Sequence, residues 1–239
     1  MRLYRSNSES VDILRYGRRL EKGLARFPET APLAATLATP QSALKAATAA
    51  TEALQAPLDD ASDDLKFAEN AAESQVRRLH NRCQELDGDR AGPITKVGFP
   101  EGLTVVLVPK GSAQKTAFED LRAAYNDSGL PAVEPQRAAL VALCDAALAT
   151  FSPAYAAWTA AQERYDRAFA TEVLRRGEHR RTVDGIFGGI REAFPRDRRV
   201  QDAIVPRVAG ASDKDDAEPT PGDSGPGTGG TGAGAPPTV

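Results

Sequence analysis

The chain has 239 residues, 30 Lys plus Arg against 33 Asp plus Glu, 41% hydrophobic and 6% aromatic, enough for one or two ordinary domains. Eight of the 20 Gly and five of the 17 Pro lie beyond Ala209, where five acidic residues and one Lys give residues 209–239 a charge of about −4 and leave residues 1–208 near +1. A globular part this close to neutral argues against nucleic acid as a partner, and with no apolar run of ~18 residues a transmembrane segment is not expected.

Met1–Ser10 carries no hydrophobic stretch of the signal-peptide kind, so a cytoplasmic location is expected, with Cys83 and Cys144 reduced and no disulfide framework. Alanine dominates and large core residues are sparse, which points to helices meeting along narrow seams.

A first helix is expected from Ser6, because Ser6 and Glu9 have capping-box spacing and Val11, Leu14, Leu20, Leu24 and Phe27 recur at helical intervals up to Pro28. Its other face holds Arg15, Arg18, Arg19, Lys22 and Arg26, either a solvated face or a basic strip for an acidic partner. Pro28, Pro32 and small residues then mark a connection. Thr39 and Pro40 make a good helix start, Thr as N-cap and Pro at the first position. From there Leu44, Ala47, Thr51, Leu54, Leu58, Ala61, Leu65, Ala68, Ala72, Val76, Leu79, Cys83 and Leu86 follow at spacings of 3 and 4. That is a coiled-coil-like heptad seam with one four-residue stutter at Ala72, ending near Asp87. Pro57 should kink it or divide it in two.

Residues 88–131 read as an insertion. Ile94–Phe99 and Leu103–Val108 are short β-branched runs, expected to form a β-hairpin-like unit, followed by a short helix from Gln114 to Asn126. Leu103–Val108 would either cap one bundle end or offer an edge to a partner strand.

A second long seam begins near Pro135 and runs through Leu140, Cys144, Ala147, Phe151, Ala154, Trp158, Ala161, Tyr165 and Ala168 to about Gly177, interrupted by Pro153. Val183, Ile186, Phe187, Ile190 and Phe194 supply a further apolar face, as a continuation or as a separate helix. Two seams of about 45 residues on one chain should lie antiparallel, with the N- and C-terminal helices covering the side a hairpin leaves open. The expected fold is therefore mainly α: an elongated antiparallel helical bundle over 1–208, with the insertion at 88–131. The Gly/Pro-rich acidic tail 209–239 cannot bury enough apolar surface to order itself and is expected to be disordered.

Catalytic chemistry finds little support. The two histidines, His80 and His179, form no Glu-x-x-His pair, which removes the carboxylate-bridged metal site of helical bundles. His80, Cys83 and Cys144, with Asp145, are the only candidates for a zinc or thiol site, against the plainer reading that both cysteines are small seam residues. Both thiols lie on core seams, unlike activated nucleophiles, and Gly185, Gly188 and Gly189 lack the strand and Lys of a phosphate loop. Glu163, Asp166 and Glu172, interleaved with arginines, read as a solvated face.

The largest local charge excess is Arg175–Arg199, where Arg175, Arg176, Arg180, Arg181, Arg191, Arg196, Arg198 and Arg199 outnumber the acidic residues by about four. The sequence thus points to a non-enzymatic structural or protein-interaction bundle, its partner another protein or a second copy meeting it along an open seam, with no cofactor and no evident small-molecule substrate. An anionic partner bound through 175–199 is the alternative, and the His80/Cys83/Cys144 site ranks last.

Overall fold

Long alanine-rich seams with few breakers should give long helices, and the chain folds that way. In the computed structural model, which describes Tyr4, residues 8–88 and residues 90–206, two helices dominate. Helix α1 is Ser10–Leu24, α2 is Ala31–Leu86, α3 is Pro93–Gly98, α4 is Leu103–Leu107 and α5 is Ser112–Asn126. After a 3-10 turn at Glu134–Gln136 come α6, Arg137–Ala193, and α7, Arg198–Ile204. Helices α2 and α6, of 56 and 57 residues, run about 85 Å each at ~1.5 Å per residue. They pack antiparallel: Leu33 meets Gly189, and Gln41 meets His179.

Both seams land where the spacing put them. Leu44, Ala47, Thr51, Leu65, Ala68, Ala72, Val76, Leu79 and Cys83 of α2, and Leu140, Cys144, Ala147 and Phe151 of α6, are buried, while Leu54, Leu58, Ala161 and Tyr165 are half-buried. The helix lengths differ from expectation. Helix α2 starts at Ala31 with Pro32 in its first turn, so Pro40 joins Pro57 inside the helix instead of opening it. Helix α6 passes through Pro153 and Gly177 and continues to Ala193, so the apolar run from Val183 is its last part. A proline removes one backbone hydrogen bond, a loss a helix held by a long packed seam tolerates. Helix α1 starts at Ser10 with Glu9 as N-cap and no side-chain cap. Ser6, the other half of the expected capping box, and the tail 209–239 lie outside the described residues.

The expected β-hairpin is not there. No strand occurs among the described residues, and the two β-branched runs form the short helices α3 and α4, joined by Gly102 in the left-handed region at φ +96°. Pro93 opens α3 with its φ already helical. Asp87 fixes its N-terminus by accepting hydrogen bonds from the backbone amides of Gly92, Ile94 and Thr95 and from the Thr95 hydroxyl, at 2.7–3.1 Å. Burial would raise the Asp87 carboxyl's pKa, but the bonds from Thr95, Ile94 and Gly92 outweigh it and hold the group below its usual value. Gly98 lets α3 lie flat on α5, since a Cβ there would strike Tyr125 and Leu121. Once Ile94, Phe99 and Leu107 are buried against Phe118, Leu121 and Tyr125, no partner strand is left to pair with, and intrinsic β-propensity is overridden.

The apolar core has two separate parts. The far core lies where α3, α4 and α5 cover α2 and α6, and includes Leu79, Cys83, Phe118, Tyr125, Cys144 and Phe151. The near core lies where α1 and α7 cover them, and includes Ile13, Leu20, Leu37, Leu44, Ile186 and Ile204. Neither core has a member from residues 45–64 of α2 or 159–182 of α6. Helix α1 reaches the long helices as far as Ser10, which bonds Glu172 and Arg176, so over the waist between that contact and the far core, about 13 residues or ~20 Å, the two long helices have only each other.

Candidate functional site

The sulfur and histidine candidates do not assemble. Cys83 Sγ lies 3.1 Å from the Tyr125 hydroxyl, which also donates to the Ile94 carbonyl at 3.3 Å, and His80 packs edge-on against Phe99. Asp145 is turned to Arg122 at 2.5 Å. Among the described residues no group of three His, Cys, Asp or Glu could hold a metal ion. Burial pushes both thiols up, Cys144 to about 12, so neither is a thiolate near neutrality.

A buried polar cluster that sequence reading passed over lies between the waist and the near core. Glu172, assigned to a solvated face, is 3% exposed. Its Oε1 accepts from Ser10 Oγ at 2.5 Å and from Arg176 Nη2 at 2.6 Å, and Arg176 Nε donates to Ser10 Oγ at 2.6 Å. Burial alone would raise the pKa of the Glu172 carboxyl, yet the bonds from Ser10 and Arg176, with the Thr51 side chain beside it, bring it below its usual value. One turn further, Gln41 Nε2 donates to the Leu14 carbonyl at 2.7 Å, so its Oε1 faces His179 Nε2 at 2.6 Å. That sets His179 as the Nε2–H tautomer and leaves Nδ1 to accept from the Tyr4 hydroxyl at 3.0 Å. Burial pushes the imidazole down to about 4, so it is neutral at physiological pH. Every member is satisfied, and the cluster ties Tyr4, α1, α2 and α6 together. A signal was present: continued past Ala168, the α6 seam spacing falls on Glu172 and His179, and Thr51, the one polar residue on the α2 seam, faces Glu172.

The arginine segment divides accordingly. Arg175 pairs with Glu178 at 2.6 Å, Arg176 belongs to the Glu172 cluster, and Arg180 lies over the Tyr4 ring and donates to the Tyr4 carbonyl at 3.5 Å. Arg181, Arg191, Arg196, Arg198 and Arg199 are exposed. The eight do not form one patch, because the first part of the segment is used internally. A denser basic face lies on α1, where Arg15, Arg18, Arg19 and Lys22 line one shallow groove, and Arg19, Lys22 and Arg26 line another against Val205 and Pro206.

The waist presents apolar side chains to the outside. Phe169, Val173 and Leu174 are 42%, 47% and 55% exposed, and Phe67 at its far edge is 74% exposed. Tyr165, Phe169 and Val173 lie four apart on one side of α6, with Tyr165 and Phe169 stacked at 6.3 Å. Helix α6 is also long and apolar enough, by length and composition, to cross a membrane, although its apolar half supplies Leu140, Cys144, Ala147 and Phe151 to the far core.

The fold and these surfaces describe an elongated helical hairpin, thickened at both ends and bare at the middle. Comparison with protein-family models, curated proteins and solved structures finds no match.

Proposed function

We propose that this chain is a non-enzymatic helical interaction protein whose waist pairs with the waist of a second copy. The supporting observation is the strip Tyr165, Phe169, Val173 on one side of α6, half-buried to exposed at and beside the stretch where α2 and α6 have no third helix. Two antiparallel helices leave one apolar side open, and two copies related by a two-fold axis close it as a four-helix bundle. A two-helix face ~20 Å long and ~20 Å wide offers about 400 Å² per copy, the size of a weak, concentration-dependent interface. Asp59, Asp60, Asp63 and Asp64 crowd α2 here, which disfavours α2 on α2 and favours α2 of one copy against α6 of the other, beside Arg164 and Arg167.

Sedimentation velocity of the full chain and of Phe169→Asp tests this. The native chain is expected to sediment as a concentration-dependent dimer, and the variant as a monomer of unchanged helix content, with its urea stability read alongside because the Arg176 guanidinium lies over the Phe169 ring. A native chain that remains monomeric at all concentrations, or a variant that dimerises as well as the native chain, would sink the reading.

A further inference from the structure

The basic face of α1 runs from Arg15 towards Arg26, away from the Ser10 end that meets Glu172, and is not used by the self-association proposed above. Arg15 pairs with Asp12 at 3.0 Å, whereas Arg18, Arg19, Lys22 and Arg26 are exposed and make no ion pair among the described residues. Arg19, Lys22 and Arg26 line a groove whose opposite wall is Val205 and Pro206, at the end of α7. The chain therefore leaves its last described residue inside this cationic groove. Its next acidic stretch follows at once: Asp213, Asp215, Asp216, Glu218 and Asp223, against a single Lys214.

We infer that the acidic segment 213–223 docks on the basic face of α1 within the same chain, as a salt-sensitive cover. Reach is not limiting. Six residues lie between Pro206 and Asp213, a span of up to ~24 Å, and the cations from Arg15 to Arg26 extend over only ~16 Å along α1 and its end. The charges are opposite and similar in number, with four unpaired cations facing five carboxylates. Each exposed pair contributes little, so the docking depends on several acting together and on a tether that keeps the local concentration high. It also depends on ionic strength, because exposed charges are screened within about 8 Å at physiological salt. The tail's composition fits such a contact: it has no large apolar residue between 209 and 238 to anchor it otherwise, so charge is what it can offer.

Electron–electron distance measurement on the full chain carrying nitroxides at Glu29→Cys and Ser224→Cys tests the inference. Glu29 is exposed just beyond α1 and outside the groove, and the native Cys83 and Cys144 are buried and escape labelling. The labelled chain is diluted in excess unlabelled chain so that only distances within one copy are read. A narrow short-distance peak is expected at low salt, lost at about 0.5 M salt, where screening reaches a few Å, and lost equally in the variant Arg18→Glu/Arg19→Glu/Lys22→Glu/Arg26→Glu. All four positions are exposed, so this variant is expected to fold, which circular dichroism checks. A broad distribution indifferent to salt overturns the inference, as does a narrow peak that survives the charge reversal, which would place the tail elsewhere. A peak abolished by dilution overturns it too, by assigning the contact to a second copy.

Discussion

At the scale of single residues, the join between α1 and the long helices rests on polar groups placed where an apolar seam would continue. Glu172 is buried and ionised because Ser10, Arg176 and Thr51 surround it, so removing Arg176 leaves a buried carboxylate without its counter-charge. Arg176→Ala is expected to destabilise the chain by roughly 2–4 kcal/mol in urea unfolding at neutral pH, whereas Arg181→Ala, at an exposed position of the same helix, should change little. His179 gives a pH dependence of definite sign. Folded, it stays neutral down to about 4; unfolded, it takes up a proton below its ordinary ~6.5. The unfolded chain thus binds more protons in that window, and stability falls as pH is lowered from about 6.5 to about 4, by a total of about 3 kcal/mol. His179→Gln should flatten this slope in urea titrations across the range. The Asp87 and Glu172 carboxyls, both held low, lose their contributions only as pH falls further, below ~4. This cluster was partly legible in the sequence. Glu172 and His179 sit in phase with the seam, but the neighbouring charges at Glu163, Asp166 and Arg167 disguise a buried position as part of a solvated face. The contribution of Ser10 and Tyr4, 162 and 175 residues away, is tertiary and leaves no mark on local spacing.

At the scale of elements, periodicity identified the long helices and their buried faces, because a seam of 3 and 4 spacings has one geometric solution. It failed at their ends and in the insertion. Pro40 and Gly177 are reasonable boundaries by local rule, yet packing along α2 and α6 outweighs one lost hydrogen bond or one flexible residue. The β-branched runs at Ile94–Phe99 and Leu103–Val108 had no partner strand and became helical turns, the first fastened by an aspartate outside it. Val105 and Val108 of the second run are exposed at 52% and 67%, on a helical turn and not on a strand edge. Asp87→Ala removes all four bonds to α3 and is expected to cost about 1–2 kcal/mol, with hydrogen-exchange protection lost first at the amides of Ile94 and Thr95. Unchanged protection there would show that burial of Ile94 and Phe99 alone holds α3. Helix α7 depends on a glycine in a comparable way: a Cβ at Gly23 would overlap the Ile204 backbone, which fixes α1 and α7 as neighbours and places Pro206 at the basic groove.

At the scale of the whole molecule, the division into two cores joined by a bare hairpin is what gives the chain a direction of use. Its ends are covered: each has a third helix and a buried aromatic or aliphatic cluster, although Gln114 of α5, fully buried at the far end, has no hydrogen-bond partner for its side-chain amide among the described residues. Its middle is not, since Leu54, Leu58 and Tyr165 are only half-buried and Phe169 and Leu174 face outward. A seam of alanines and thin aliphatics holds two helices together but leaves little apolar area buried per residue, so covering the waist should add stability as well as specificity. Sequence reading anticipated an open seam without locating it, because the two separate cores follow from where α1, α5 and α7 end along the long helices.

Native mass spectrometry of the full chain at moderate salt tests the central claim most directly, since one spectrum reports both the number of subunits and any retained ligand. The expected species is a dimer of twice the chain mass, collapsing to the single-chain mass in Phe169→Asp. A monomer at every concentration, or a chain carrying a metal ion or small molecule in fixed stoichiometry, would contradict a non-enzymatic protein that works by pairing its waist.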